Sequence, residues 1–145
     1  LIIAQEFMPT NYDWRIGVLD GEPLFACKYK MARGHWQIIK HEDDGKYTEG
    51  GFETLAIADT PPEVIEIARK AANLIGNGLY GIDMKQNEKG IFVIEINDNP
   101  NLETEVEGAV LKDELWRAII GWFSTRLERR MNAVKPGKQA VKAEG

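Results

Sequence analysis

Hydrophobic and polar residues alternate in the stretch DWRIGVLDGEPLFACKYK, on both sides of an Asp-Gly pair at positions 20–21. Alternation with a period of two is typical of a strand with one covered face, and Asp-Gly favours the tight turn of a hairpin. In the second strand this period places Lys28 and Lys30 on one face and Cys27 and Tyr29 on the other. The stretch therefore predicts an antiparallel hairpin.

A helical period follows in TPPEVIEIARKAANLIGNG. Thr60 is expected to be the N-cap, and Glu63 lies three residues later, as in a capping box. Gly76 or Gly78 is expected to end the helix, since glycine is common just after the last helical residue. Helical spacing puts one apolar face towards the core, and this predicted buried face consists of Val64, Ile67, Ala68, Ala71, Leu74 and Ile75.

Two more strands, LYGIDMK and GIFVIEIN, are joined by the polar turn QNEKG, and the amphipathic stretch LKDELWRAIIGWFSTRLERR comes last. The predicted buried side of this last helix consists of Leu115, Ile119, Trp122 and Phe123. Hairpins combined with two helices predict an α+β fold, a largely antiparallel sheet covered by two helices. The predicted domain covers residues 1–130, and the tail 131–145 has almost no large apolar residues and is expected to be disordered.

The polar, glycine-rich stretch HEDDGKYTEGG predicts a long flexible loop, with short strand-like pieces at HWQII and FETLAI on either side. The two histidines, His35 and His41, flank one of these pieces and lie near no second pair of metal ligands, so they are expected on the surface or in the loop. Cys27 alternates with aromatic residues, which favours a buried structural thiol over a nucleophile.

Composition narrows the class of protein. A chain of 145 residues with 43% hydrophobic and 28% charged residues suits one soluble domain with its own core. The net charge of -5 argues against a nucleic-acid partner, and the single cysteine excludes an internal disulfide. No apolar run is long enough to span a bilayer and no signal peptide is visible, so a cytoplasmic protein is expected. The opening LIIAQEF lacks Met, which suggests a fragment of a longer protein.

Three oxygen-bearing side chains are predicted to converge near the end of the GIFVIEIN strand. Alternation places Glu95 and Asn97 on one face with Val93. A hairpin centred near Lys89 would put Asp83 opposite Glu95, with the two side chains within roughly 5 Å. Two carboxylates that close need a compensating cation. With an amide oxygen beside them they form a set of hard ligands that suits Mg²⁺ or Mn²⁺.

Other interpretations of these residues stay open at this point. Glu95 and Asn97 could mark a solvated strand end, with Asp83 paired to Lys85 or another base. A metal site, in turn, would fit either a metal-dependent nuclease or a nucleotide-dependent enzyme whose Mg²⁺ bridges phosphates. The nuclease is the weaker alternative, because Asn97 stands where its Glu-X-Lys set has lysine and the acidic chain offers no track for a phosphate backbone.

Four short motifs, GIDMK, EINDNPN, QEF and DWR, resemble the C-terminal half of the ATP-grasp carboxylate-amine ligases. The most similar group is the RimK-like enzymes, relatives of the ribosomal protein S6 modification ligase and of glutathione synthetase. The resemblance runs from about residue 1 to 108 and implies a C-terminal ATP-grasp subdomain. The family's metal ligands, an Asp on one strand and a Glu-X-Asn on the next, fall on Asp83, Glu95 and Asn97.

The same resemblance implies a site for ATP. The stretch AQEF is similar to the hinge between the two ATP-grasp lobes, where backbone groups near Glu6, Phe7 and Met8 would hold the adenine edge. Asp13 of DWR matches the family's Asp near the nucleotide sugar, and Arg15 matches its neighbouring Arg.

Two lysines are implicated in catalysis by the resemblance alone. Lys28 and Lys30 occupy the stretch where the family has arginines facing phosphate or the acyl-phosphate intermediate, so with Arg15 they would offset negative charge. The chain departs from the S6-ligase pattern in RGHWQIIKHEDDG, and Asn99 and Asn101 replace small residues of the family's loop. The pocket for the acceptor substrate is therefore expected to differ.

The activity implied is the ATP- and Mg²⁺- (or Mn²⁺-) dependent joining of a small-molecule or peptide carboxylate to an amine or amino acid through an acyl phosphate. The N-terminal part of the same protein would be a required partner, and the fragment alone is expected to be inactive. A homo-oligomer is compatible with the sequence, and neither nucleic acid nor membrane is an expected partner. The alternative from another class is a non-catalytic ATP-grasp-like module used for assembly through its Trp-bearing last helix.

Overall fold

The main sheet is built from two hairpins and one further strand at its edge. The computed structural model describes residues 2, 4, 6–31, 39–41, 47–49 and 51–134. Over these residues the strands are β1 Tyr12–Leu19, β2 Glu22–Lys30, β3 Ile39–His41, β4 Tyr47–Glu49, β5 Phe52–Leu55, β6 Leu79–Asn87 and β7 Gly90–Asn97, and the α-helices are α1 Pro62–Ile75 and α2 Asp113–Val134. Five strands form an antiparallel sheet in the order β5-β2-β1-β6-β7, and β3 pairs with β4. The predicted α+β fold is confirmed.

The turn between β1 and β2 explains why this hairpin could be predicted from the sequence. Leu19 pairs with Glu22, which leaves Asp20 and Gly21 as the two turn residues. Both have positive φ, 54° and 83°, the conformation that a tight two-residue hairpin requires and that Asp-Gly adopts readily. The predicted hairpin is therefore confirmed.

The two faces of the sheet are covered by different elements. On one face, α1 packs against a core that contains Trp14, Ile16, Val18, Ala26, Ile82, Met84, Val64, Ala68 and Ala72. On the other face, the start of α2 packs against the sheet, with Leu19, Phe25, Cys27, Leu115 and Ile119 as the buried residues. The Phe25 ring lies over Gly17, where an added Cβ would approach it to 2.1 Å. This second face also carries the candidate site.

The predicted N-cap of α1 is wrong. The helix begins at Pro62 with Pro61 as its N-cap, and no side chain caps it. Thr60 instead ends a short 3-10 helix, Ile57–Asp59, and its hydroxyl donates a 3.0 Å hydrogen bond to the Ala56 carbonyl oxygen. Two prolines at the helix start carry no amide hydrogen, so fewer donors there need a cap.

Two predicted core positions at the end of α1 are also wrong. Leu74 is 85% and Ile75 58% exposed, because the buried positions of α1 end at Ala72. Gly76, with φ of 135°, follows the helix as expected. In α2, Leu115 and Ile119 are buried as predicted, but Phe123 is 49% exposed.

The boundary of the last helix lies beyond the predicted domain end. α2 continues to Val134, whereas the domain was predicted to end at residue 130. Residues 135–145 of the predicted disordered tail lie outside the described residues, as do His35 and residues 42–46 and 50 of the predicted flexible loop. The loop prediction is wrong for His41 and Tyr47–Glu49, which belong to the paired strands β3 and β4. Neither helix in the described part of the chain is long and apolar enough to cross a membrane.

Candidate functional site

Asp83 lies at the centre of the candidate site, between a cation and a second acid. On one side its Cα partner is Arg15 of β1, and on the other it is Glu95 of β7. Residues opposite each other in a ladder share a face, so the three side chains lie side by side on the α2 face of the sheet. The predicted opposition of Asp83 and Glu95 is confirmed by this register.

Arg15 holds Asp83 through both of its oxygens. The Arg15 Nε donates to Oδ1 and Nη2 donates to Oδ2, each at 2.8 Å, which is the fork geometry of a bidentate pair. Both side chains are about one quarter exposed. The hydrogen bond to Asp83 raises the pKa of Arg15 further above its usual range, so the guanidinium stays charged. The base that pairs with Asp83 is therefore Arg15 and not Lys85.

A β-bulge in β7 aims Glu95 towards Asp83. Glu95 pairs with Asp83, but Met84 pairs with Val93, so Ile94 is the extra residue. Met84 belongs to the core under α1, and its register partner Val93 therefore lies on that face. The prediction that Val93 shares a face with Glu95 is wrong, because simple alternation does not anticipate a bulge.

Asn97 begins a turn that folds back over the sheet. Its Oδ1 accepts a 2.9 Å hydrogen bond from the backbone N–H of Asn99. Its register partner is Gly81, and Pro100 packs so closely there that an added Cβ on Gly81 would lie 2.9 Å from the Pro100 Cβ. An amide oxygen has two lone pairs, so one remains for a ligand.

The Glu95 carboxylate is exposed, and within the described part of the chain it has neither a hydrogen bond nor an ion-pair partner. Among those residues no three His, Cys, Asp or Glu side chains converge on a metal-sized space. A cation site here would therefore combine two carboxylates, Asp83 and Glu95, with the amide of Asn97. Oxygen donors of this kind suit Mg²⁺ or Mn²⁺ and make a poor site for softer metals.

Asp13, expected near a nucleotide sugar, is held by two neighbours. Its Oδ1 accepts hydrogen bonds from Lys85 Nζ at 2.6 Å and from the Thr10 hydroxyl at 2.8 Å. Lys85 also donates to the Thr10 hydroxyl oxygen at 2.9 Å. This cluster lies two residue pairs away from Arg15 and Asp83 along the same two strands, where Asp13 pairs with Lys85.

The expected hinge residues lie just before β1. Glu6, Phe7 and Met8 have no regular secondary structure, and Phe7 is 60% exposed while Met8 is half-buried. Their backbone groups remain the predicted contact for adenine.

The structure does not bring Lys28 or Lys30 to Asp83. The register partner of Lys28 is Trp14, and Lys28 Nζ lies 4.8 Å from the Trp14 ring centroid and 5.2 Å from that of Tyr12. Trp14 is part of the core under α1. Lys30 pairs with Tyr12 and is exposed on that same face. Both lysines therefore lie on the opposite side of the sheet from Arg15.

A buried acid that the sequence did not suggest lies beside Arg15. Glu107 is 2% exposed; its Oε1 accepts a hydrogen bond from the Tyr29 hydroxyl, and its Oε2 accepts one from the Glu103 N–H at 2.9 Å. The Arg15 Cζ lies 5.1 Å from the Tyr29 ring centroid. Burial, followed by the bond to Glu107, raises the pKa of Tyr29 well above its usual range. The only local signal was an acid placed between Val106 and Gly108 in an apolar run.

Cys27 is a structural thiol, as predicted. It is fully buried, with its Sγ 3.6 Å from the Thr54 hydroxyl oxygen. Burial raises the pKa of Cys27 to about 11, so the nucleophilic thiolate is scarce at neutral pH. The Thr54 hydroxyl in turn donates a 2.6 Å hydrogen bond to the Val106 carbonyl oxygen and ties the loop that follows β7 to β5.

The chain is similar to several known ligases. The probable alpha-L-glutamate ligase of Aliivibrio fischeri strain MJ11 is 32% identical over 114 residues, which is 77% of this chain and 35% of the relative. Among solved structures, the D-alanine–D-alanine ligase of Bacillus anthracis matches 86% of this chain and 42% of its own with a TM-score of 0.55 at 18% identity. The ATP-grasp ligase PsnB in complex with a minimal precursor matches 79% of this chain and 36% of its own with a TM-score of 0.52 at 22% identity.

These comparisons fix the family and the extent of the match. The two solved structures show a shared fold, and the chain spans about a third of the length of the glutamate ligase that it matches. The model of the RimK-like ATP-grasp domain matches residues 1–119, which include every candidate site residue named above. The chain belongs to the RimK-like ATP-grasp family.

Proposed function

We propose that this chain supplies the metal site and part of the nucleotide site of an ATP- and Mg²⁺-dependent ligase that joins a carboxylate to an amine through an acyl phosphate. The observation that carries the proposal is the row of Arg15, Asp83 and Glu95 across three adjacent strands, with Asn97 two residues beyond Glu95. Family membership supports the ATP-dependent ligase class, and the nuclease alternative is dropped on that ground.

The donor set fits a hard divalent cation. Asp83, Glu95 and Asn97 would hold Mg²⁺ or Mn²⁺, and the ion would neutralise phosphate oxygens during transfer. The exposed carboxylate of Glu95, without a partner among the described residues, is available for this role. Asp83 carries its charge between Arg15 and Glu95, so a cation beside Glu95 would also relieve the repulsion between the two acids.

Arg15 is the side chain proposed to offset the negative charge of the transferring phosphoryl group. It shares the face of Asp83, whereas Lys28 and Lys30 lie on the other face of the sheet. A guanidinium that is already fixed can offset negative charge on a transferring phosphoryl group without reorganising. In this proposal Arg15 therefore takes the role that the resemblance divided among Arg15 and the two lysines.

No side-chain nucleophile is required by this proposal. The acyl phosphate forms when the substrate carboxylate attacks the terminal phosphate of ATP and ADP leaves. The amine then attacks the acyl carbon and displaces inorganic phosphate, and it loses a proton to give the amide. The buried Cys27 with its raised pKa is in keeping with this chemistry, because it is no candidate for covalent catalysis.

L-Glutamate is the proposed amino-acid substrate. This choice comes from the relatives, which are named as probable alpha-L-glutamate ligases in Aliivibrio and Shewanella. The second substrate is the carboxylate or amine to which glutamate is joined, and its contacts would come in part from elements beyond this chain. The chain alone, which spans about a third of its relative, is proposed to bind the nucleotide weakly and to form no amide.

The test uses the full-length protein that carries this chain, incubated with ATP, Mg²⁺ and a panel of amino acids, with ADP release as the readout. We expect ADP release that depends on the presence of L-glutamate in the panel. Glu95→Gln should lower it by about 100-fold or more, since a metal ligand is lost. Glu88→Gln, which removes an exposed acid from the β6–β7 turn, is the matched control and should leave it unchanged.

The possible outcomes distinguish the proposed ligase from the alternative, a non-catalytic ATP-grasp-like module. Equal ADP release from wild type and Glu95→Gln would contradict the assigned role of Glu95. ADP release from the 145-residue chain alone would contradict its proposed inactivity. A full-length protein that releases no ADP with any amino acid would favour the non-catalytic module.

A further inference from the structure

Arg15 has a second set of neighbours besides Asp83. Its guanidinium lies over the face of the Tyr29 ring, with Cζ 5.1 Å from the centroid. The hydroxyl at the far end of that ring donates to the buried Glu107, whose other oxygen is held by the backbone of Glu103. Tyr29 is thus held at both ends, by β2 and by the loop between β7 and α2.

Glu107 is a buried acid without an ion-pair partner among the described residues. The carboxylate is 2% exposed and accepts two hydrogen bonds from neutral donors, but no described cation lies within ion-pair distance of it. A buried carboxylate attracts the nearest cation strongly because little water screens it. The pKa of Arg15 reflects both acids: the hydrogen bond to Asp83 raises it most, and the charge on Glu107 adds to that effect.

We propose that Tyr29 and Glu107 are positioning residues that hold Arg15 over the sheet independently of Asp83. The ring supplies a cation–π contact, and the charge of Glu107 adds an electrostatic attraction. If Asp83 held a divalent cation, Arg15 would have fewer oxygen acceptors on Asp83, and Tyr29 and Glu107 would keep the guanidinium at the site. Only this statement about the metal-bound site rests on the proposed function. The positioning of Arg15 by Tyr29 and Glu107 does not depend on it.

Side-chain NMR of the isotopically labelled chain measures the contact between Arg15 and the Tyr29 ring directly. A ring beneath the guanidinium shifts the Arg15 δ protons upfield, and this ring-current shift reports whether Arg15 stays on Tyr29. In Asp83→Ala the shift should remain. In the double variant Asp83→Ala with Tyr29→Leu it should be lost, and the δ protons should take the values of a solvated arginine. Backbone amide spectra of each variant check that the fold is intact.

Glu107 has its own matched pair of variants. Glu107→Gln keeps the shape and a hydrogen-bond acceptor for Tyr29 but removes the charge, whereas Glu105→Gln removes an exposed charge from the same loop. In the Asp83→Ala background we expect Glu107→Gln to reduce the ring-current shift and Glu105→Gln to leave it unchanged. Equal changes of the ring-current shift in these two variants would show that the charge of Glu107 does not position Arg15.

The result that overturns the proposal is loss of the ring-current shift in Asp83→Ala alone, with the fold intact, because Asp83 would then be the sole anchor of Arg15. A Mg²⁺ titration of the wild-type chain completes the test. The shift should persist at saturating Mg²⁺ while the amide signals of Glu95 and Asn97 move. If the amide signals of Glu95 and Asn97 do not shift, the proposed metal site is contradicted. The anchoring of Arg15 is then decided separately by the ring-current shifts of the variants.

Discussion

Asp83 and Glu95 face each other across the β6–β7 ladder, but only Asp83 has a cationic partner among the described residues. Arg15 neutralises Asp83 through two hydrogen bonds, and Glu95 is left exposed beside the pair. The row therefore carries two negative charges and one positive charge. A further cation bound beside Glu95 would therefore balance the charges of this row.

Removal of the Arg15 guanidinium should destabilise the fold, because it leaves the Asp83 carboxylate three-quarters buried without a partner. For Arg15→Met we expect a loss of ~1–2 kcal/mol in the free energy of unfolding, measured by urea denaturation. Arg117→Met is the control, since the Arg117–Glu114 pair is almost three-quarters exposed and should change stability by less than about 0.5 kcal/mol. Equal losses in the two variants would show that the Arg15 fork adds no stability.

The close contact between Gly81 and Pro100 predicts that even one methyl group will disturb the loop after β7. An added Cβ at Gly81 would lie 2.9 Å from the Pro100 Cβ, so Gly81→Ala should cost ~1–3 kcal/mol of unfolding free energy. Gly121→Ala is the opposite case, because its Cβ would meet no atom within 4 Å and alanine favours a helix by about 1 kcal/mol. Thermal unfolding of both variants checks the signs. An unchanged or raised melting temperature for Gly81→Ala would contradict the packing described for the loop.

The buried thiol predicts a loss of stability at alkaline pH. Burial raises the pKa of Cys27 from 9.0 to about 11, so the folded state keeps its proton where the unfolded state has lost it. The contribution is full below about pH 8 and is lost as the pH rises from 9 towards 11, at ~1.4 kcal/mol per pH unit. Unfolding free energies of wild type and Cys27→Ala should therefore converge over this range, because alanine does not titrate. A constant difference between the two proteins from pH 7 to 11 would contradict the raised pKa.

The sequence was sufficient for the features that depend on local pattern. The Asp-Gly turn and the alternation of β1 and β2 identified the first hairpin. The second hairpin was identified from its polar turn, but its ladder starts from Asn87 paired with Gly90, and Asp83 comes to pair with Glu95 only because the bulge at Ile94 shifts the register by one residue. Alternation also placed Asn97 on the face of Glu95, and the register agrees with that placement. The first hairpin and the shared face of Glu95 and Asn97 hold because each depends only on residues that are close together in the sequence.

Features that depend on long-range packing could not be predicted in the same way. Alternation placed Lys28 on the face opposite Tyr29, but it could not tell which of these faces Arg15 shares, because that depends on the register of β1 against β2. The bulge at Ile94 reversed the predicted face of Val93. Tyr29 and Glu107 are 78 residues apart, and no local pattern relates them.

The central claim is that Asp83, Glu95 and Asn97 hold a divalent cation, and a Mn²⁺ titration followed by the electron paramagnetic resonance signal of the free ion tests it most directly. Wild type and the control Glu88→Gln should bind Mn²⁺ with the same Kd. Glu95→Gln should raise the Kd by about tenfold or more, since it removes a charged oxygen ligand and keeps the shape of the side chain. Equal Mn²⁺ affinity of Glu95→Gln and wild type would contradict the claim.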